Sequence, residues 1–249
     1  MRIAFLTTAD PVYLPSFFER VLDACASETH AVYAVPPLYK NQTSLEAALR
    51  FYRTFGIEGV RGLAFRTLGA KLRRRSIASV ARARGVRCIA VADVNAPAFL
   101  DELRAADTDL IVSVSCPQIF KSELINLPAH GCLNVHGALL PSYRGVLPSF
   151  WMLANGEREA GVSIYFVNEQ IDAGDLCAQR SFPIESDDTL DSLLRKSKAI
   201  AADLLLQVIQ SIAAGTVTRV PLDAATGSYY SWPDADAVER LRARGRRLW

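Results

Sequence analysis

Leu110-Ile111-Val112-Ser113-Val114 is a run of aliphatic side chains around a single serine, with no alternation of polar and apolar positions. Strands of that kind have no wet face and belong to parallel sheets covered by helices on both sides. Ile3 to Leu6, Ala31 to Val35 and Cys88 to Val91 read as three earlier strands. Helical stretches separate them. The first carries Phe17, Val21 and Cys25 on one face with Phe18 and Leu22 beside them, the second runs from Ser44 to Phe55, and a third from Ala96 to Ala105. Strands alternating with helices predict an α/β chain with an open, mostly parallel twisted sheet and helices on both faces.

The Thr7 to Pro11 loop leaves the first strand toward a helix, but no Gly-x-Gly-x-x-Gly is present, so the dinucleotide fingerprint is absent and the loop reads as structural. Beyond Pro36-Pro37, Lys40 and Asn41 open a polar loop. Lys71, Arg73, Arg74, Arg75, Arg82 and Arg84 then occur with no acid among them. Without interleaved aromatics they read as a solvated helix face ahead of a nucleic-acid site, and a diphosphate-bearing substrate is the middle reading. A formal net charge of +2 gives no case for bulk nucleic-acid binding. The five cysteines, Cys25, Cys88, Cys116, Cys132 and Cys177, are odd in number and lack C-x-x-C spacing, so reduced core residues in a cytoplasmic protein are expected. Met1 to Leu6 is too short for a signal-peptide core, no later run is long enough to cross a bilayer, and no membrane partner is expected.

The chemistry concentrates in Cys132-Leu133-Asn134-Val135-His136-Gly137 and the residues through Gly145. The two-residue period of a strand puts Asn134 and His136 on one face, and Pro141 and Gly145 end the run in a loop. Pro148 to Asn155 reads as a short helix closed by Gly156. Gly161 to Val167 and Leu176 to Phe182 read as strands joined by the Asn168 to Gly174 loop, and Asp188-Thr189 starts a long helix through Ile212. An amide, an imidazole and the carboxylate of Asp172 in that loop form a workable set for acyl transfer. No second His or Cys stands at ligand spacing to His136, so no metal is expected; His30 and His130 read as structural.

Asn134-Val135-His136, Leu139-Leu140-Pro141 with Arg144-Gly145, Gly161-Val162-Ser163-Ile164 and Ile171-Asp172-Ala173-Gly174-Asp175 together resemble the folate-dependent formyltransferases, which use 10-formyltetrahydrofolate. The resemblance covers roughly Asp109 to Ile212, and the first hundred residues only in their general pattern. It implies a Rossmann-like formyltransferase fold, with a catalytic domain over 1–212 and a short C-terminal extension over 213–249. It implies Asn134, His136 and Asp172 as the catalytic trio, with Asp175 a surface or capping carboxylate. It implies folate contacts at Gln118, Ile119 and Phe120 and at Asn168, Glu169, Gln170 and Ile171.

Relatives of this kind formylate methionyl-tRNA, a purine precursor, amino-sugar nucleotides or amines of natural products, and one branch hydrolyses formyl-folate. Fewer than forty residues stand after Ile212, too few for the barrel domain of the tRNA enzymes, and the purine enzyme lacks an Asn41 to Arg75 insertion. The expected acceptor is therefore a small-molecule amine, foremost a nucleotide-linked amino sugar, met by Tyr143, Arg144 and Trp232. A folate- or nucleotide-binding module without turnover is the rival of another class. The tail aromatics cover either substrate or a second copy in a homodimer.

Overall fold

The computed structural model describes residues 1–36 and 43–249, so the loop expected at Lys40 and Asn41 lies outside the described residues. The chain begins β1 (Ile3–Thr8), α1 (Leu14–Cys25), β2 (Thr29–Val35), α2 (Ser44–Leu72), α3 (Ile77–Ala83) and β3 (Arg87–Ala90). It continues α4 (Pro97–Ala105), β4 (Leu110–Val114), α5 (Ser122–Ile125), β5 (Cys132–His136), β6 (Arg144–Gly145) and α6 (Pro148–Asn155). It closes with β7 (Glu159–Phe166), β8 (Leu176–Pro183), α7 (Leu190–Ala213), β9 (Tyr229–Tyr230) and α8 (Ala235–Ala243).

Seven strands form one sheet in the order β3-β2-β1-β4-β5-β7-β8. Pairings from β3 across to β5 are parallel, whereas β7 runs antiparallel to β5 and β8 antiparallel to β7. The continuous aliphatic strand β4 is central in the sheet and is covered on both faces, the latter as expected. Leu110, Val112 and Val114 face one buried cluster with α1, α6 and α7, and Ile111 faces another with Phe99, Leu100 and Leu103 of α4. Because β1 lies between β2 and β4, the order reverses there, and the carboxyl ends of the strands around this point are where open α/β sheets gather ligands.

The helix expected to end at Phe55 instead continues to Leu72. Gly56 takes φ 66°, ψ −169°, a break that only glycine adopts without strain, and the helix resumes beyond it. Phe55 anchors the break in the core, and the second half lies on the chain's C-terminal residues. A Cβ on Gly62 would stand 2.0 Å from the Trp249 indole nitrogen, so only glycine permits that approach.

Residues 213–249 are joined to the same core. Ala237, Val238, Leu241 and Leu248 are buried in the larger cluster. The first-turn N–H groups of α7, which no helical carbonyl reaches, donate to the tail: Leu190 N to Arg247 O at 2.9 Å and Asp191 N to Leu248 O at 3.0 Å. Leu241→Ala is therefore expected to lower the stability of the whole molecule by about 2–5 kcal/mol. Chemical denaturation followed by circular dichroism checks this: one cooperative transition moves, with no separate early unfolding of the tail.

Candidate active site

At β5 the sheet changes from parallel to antiparallel, and this pairs Asn134 with Tyr165 and His136 with Ser163 across the two strands. Directly opposed residues in such a ladder share a face. Asn134 Nδ2 donates to the Tyr165 hydroxyl at 2.9 Å, and that hydroxyl donates to Asp172 Oδ1 at 2.7 Å. Tyr165 thus links the two polar groups through one buried oxygen. Burial, then the neighbouring Asp172 carboxylate, hold its phenol well above the ordinary tyrosine range, so it stays a donor.

Asp172 sits in the loop between β7 and β8 with φ 48°, a left-handed conformation that turns its carboxylate back toward β5. Its Oδ2 accepts the Gly145 N–H at 2.7 Å and lies 3.7 Å from His136 Nδ1. Two glycines allow these close approaches. A Cβ on Gly145 would fall 2.2 Å from Tyr230 O, and one on Gly174 would fall 1.7 Å from Phe166 O. His136 Nε2 lies 2.8 Å from the Tyr143 carbonyl oxygen, which only accepts, so Nε2 carries the proton. In the neutral ring the lone pair is then on Nδ1, facing the carboxylate. Asn134 keeps one N–H and its carbonyl oxygen without a partner among the described residues.

The loop after β5 is pinned from β7 and β8. Ser163 Oγ donates to Ala138 O at 2.6 Å and accepts Leu140 N at 3.0 Å, and Gln179 Nε2 donates to Leu140 O at 2.8 Å. Arg144 and Gly145 form β6, paired with Tyr229 and Tyr230 of β9. The Arg144 guanidinium reaches the Ile171 carbonyl at 3.4 Å, and its buried Nε holds no partner among the described residues.

The two loops expected to meet folate lie side by side. Ser122, just past the first, donates to Glu169 of the second. Ile119 on one is 67% exposed and Ile171 on the other 45%, leaving apolar side chains open at a polar edge. Gln118 is otherwise engaged: its amide accepts from Val94 N at 2.9 Å and donates to Ala92 O at 2.7 Å. Phe120 is buried beside α4, so its ring offers no surface to a ligand. Asn168 braces its own loop, donating to Ala173 O at 3.1 Å and accepting from Gln170 N at 3.0 Å.

Two of the three expected acceptor contacts are committed to packing. The Tyr143 ring stacks on Tyr230 with centroids 5.2 Å apart, and its hydroxyl donates to Glu157 at 2.5 Å. Trp232 packs on α2: its indole donates to Thr54 Oγ1 at 2.9 Å, and the Arg50 guanidinium lies 4.6 Å from its ring. Part of the basic stretch is neutralised by α1, where Arg75 pairs with Glu19, and Arg84 with Asp23 at 2.7 Å.

Sequence reading missed Tyr165 and Lys198. Tyr165 shares the β7 face of Ser163 by strand period, a signal that becomes informative only once β7 is paired with β5. Lys198 on α7 donates to Ser115 Oγ at 2.8 Å, just past β4, and nearby Thr8 Oγ1 is buried without a partner among the described residues. The adjacent Ser197 reaches Gly137: a Cβ there would stand 3.4 Å from Ser197 Oγ. Desolvation pushes the Lys198 ammonium down to about 8, with Asp10 pulling the other way. All five cysteines are free, and among the described residues no cluster of three or more His, Cys, Asp or Glu can hold a metal ion.

Residues 1–209 match the family model described as Formyl transferase. The methionyl-tRNA formyltransferase of Anaeromyxobacter dehalogenans is 35% identical over 225 residues, 90% of this chain and 63% of that protein. That of Ruminiclostridium cellulolyticum is 32% identical over 161 residues, 65% of this chain and 52% of that protein. The chain spans about half the length of the curated relatives it matches. Glycinamide ribonucleotide transformylase 1 from Symbiobacterium toebii superposes with a TM-score of 0.64 at 18% identity, covering 90% of this chain and 94% of that one. A sugar N-formyltransferase from Shewanella superposes with a TM-score of 0.60 at 20% identity, covering 93% of this chain and 76% of that one. With residues 1–209 matching the family's model, the chain belongs to the formyl transferase family.

Proposed function

We propose that this chain is an N-formyltransferase that takes its formyl group from 10-formyltetrahydrofolate and delivers it to a primary amine, foremost that of a nucleotide-linked amino sugar. The observation that carries the reading is the network of Asn134, Tyr165, Asp172 and His136 at the carboxyl end of β5. A residue set that only held a ligand has no use for a free imidazole nitrogen beside a carboxylate and an unpaired amide N–H.

Bound at this edge, 10-formyltetrahydrofolate supplies an activated formyl carbon. The two exposed isoleucines and the backbone of the Asn168 to Asp172 loop are suited to hold its flat ring. The free N–H of Asn134 donates to the oxygen on which negative charge grows as the amine attacks, and His136 Nδ1 takes the proton released by the amine and returns it to the folate nitrogen as its bond to the formyl carbon breaks. Asp172 Oδ2 then faces a cationic ring, while Tyr165 and the Gly145 N–H keep the carboxylate aimed. Arg144 and Lys198 are cationic groups at the same edge for an anionic acceptor. Sugar N-formyltransferases are among the structures sharing this fold. The methionyl-tRNA formyltransferases among the relatives favour a second acceptor, the amine of an aminoacyl-tRNA.

The decisive measurement is release of tetrahydrofolate from 10-formyltetrahydrofolate with amino-sugar nucleotides, with methionyl-tRNA and with no acceptor. Turnover with an amino-sugar nucleotide is expected. Turnover only with tRNA overturns the acceptor, turnover with none makes the chain a hydrolase, and silence throughout removes the catalytic reading. In the active assay, His136→Ala is expected to lower kcat by roughly 10²- to 10⁴-fold. Tyr165→Phe is expected to lower kcat by roughly 10- to 100-fold with little change in KM, from the loss of a hydrogen bond to a charged group. Steady-state kinetics separate the two quantities. Lys198 is cationic below a pH of about 8 and loses its charge above it, so the KM for a diphosphate acceptor rises as pH climbs through that value. Lys198→Arg, which stays charged, flattens the profile.

A further inference from the structure

The second half of α2 is amphipathic with its faces reversed. Gly59 is buried and Gly62 lies against Trp249 on the side turned to the body of the protein, where Arg66 reaches Asp191 at 3.0 Å and stacks on Trp249. At about 100° per residue, Ile57, Arg61, Phe65, Leu68 and Leu72 occupy an arc of about 80° on the opposite side. There Phe65 is 77% exposed and Leu72 76%, with Ile57 and Leu68 more than half exposed. Leu45, Leu49 and Tyr52 of the first half are exposed as well. A surface helix of a soluble domain puts its large apolar side chains inward. This one puts Gly59 and Gly62 in and its large residues out.

The charge around the stripe has one sign. Between Ser44 and Arg75 stand eight basic residues (Arg50, Arg53, Arg61, Arg66, Lys71, Arg73, Arg74, Arg75) and two acids (Glu46, Glu58), although the whole chain carries only +2. Glu46 closes the helix's own cap, and Glu58 pairs with Arg242 at 3.2 Å. Arg53, Arg61, Lys71, Arg73 and Arg74 are exposed and have no ion-pair partner among the described residues. Pairing this face with a second copy of itself would set those cations against their own kind. A convex apolar ridge rimmed by arginine and lysine matches an anionic bilayer, whose headgroups take the cations while the acyl boundary takes the leucines and phenylalanine.

We propose that α2 is a membrane-surface helix that lays its Ile57–Leu72 stripe into the interface of an anionic lipid bilayer. The contact is peripheral: no helix among the described residues is long and apolar enough to cross a membrane. Such a contact would hold the catalytic edge next to an acceptor made or used at that surface. It is independent of which amine is formylated.

Flotation of the full chain with vesicles of about three parts phosphatidylcholine to one part phosphatidylglycerol, and with phosphatidylcholine alone, tests it. The chain is expected to float with the anionic vesicles, weakly with the neutral ones, and less as salt rises. The triple variant Phe65→Ser, Leu68→Ser, Leu72→Ser is expected to partition at least about tenfold less, and Arg61→Glu with Lys71→Glu to lose anionic preference. Every substituted side chain is exposed, and thermal melts matching the parent verify that the variants fold. No flotation with anionic vesicles, or flotation that the triple variant leaves unchanged, overturns the proposal. So does a solution mass for the parent twice that of the triple variant, which gives the stripe to a second copy. Capture of an acidic amphipathic peptide by a chain that ignores vesicles gives it to a protein partner and overturns the proposal too.

Discussion

The antiparallel pairing of β7 against β5 is the constraint on which the site depends. Up to β5 the sheet is parallel, and each strand end opens onto a loop leading to a helix. Turning β7 back places its polar positions, Ser163 and Tyr165, directly opposite His136 and Asn134. Ser163 then braces the loop leaving β5, and Tyr165 reaches both Asn134 and Asp172. A one-residue slip in this register would turn Ser163 and Tyr165 into the apolar layer and send Val162 and Ile164 to the site. Burial of Val162, Ile164 and Phe166 on the other face prevents that slip.

The network's electrostatic logic rests on Asp172. Its carboxylate is almost enclosed, yet it receives the Tyr165 hydroxyl and the Gly145 N–H, so its lone pairs are directed before any ligand arrives. Oδ2, which accepts the Gly145 N–H, also faces His136 Nδ1, where a proton arriving on the ring is met by negative charge. Because the Tyr143 carbonyl fixes the tautomer of the ring from its far side, the imidazole presents its basic nitrogen inward. The left-handed turn at Asp172 and the bare backbone at Gly145 and Gly174 let three chain segments approach this closely.

The tail contributes support to the site. β9 pairs with β6, so the strand that donates Gly145 N is itself held by Tyr229 and Tyr230. Tyr143, Trp151 and Tyr230 stack into one aromatic column beneath it. The tail's last residues accept from the first turn of α7, and Trp249 fills the space left by Gly62 of α2. Tyr143, Tyr230 and Trp232 thus each hold a packing partner in the frame around the site.

Local period and local turn chemistry were legible in the sequence. The aliphatic Leu110 to Val114 run called for a two-sided parallel strand, Asn134 and His136 shared a face by the strand period, and Asp172 sat in a turn of Asn, Asp and Gly. Helix ends at Gly156 and Thr189 were set by capping preferences. Tertiary structure alone decided that Tyr165 joins Asn134 to Asp172, that Phe120 turns into the core, that Trp232 packs on α2, that Lys198 reaches Ser115, and that α2 continues beyond Gly56 with Gly62 against Trp249. The physical reason is the range of the interactions. A strand's period or a cap is set within a few residues, whereas the partner of a polar side chain and the covering of a helix face depend on segments that only the folded sheet brings together.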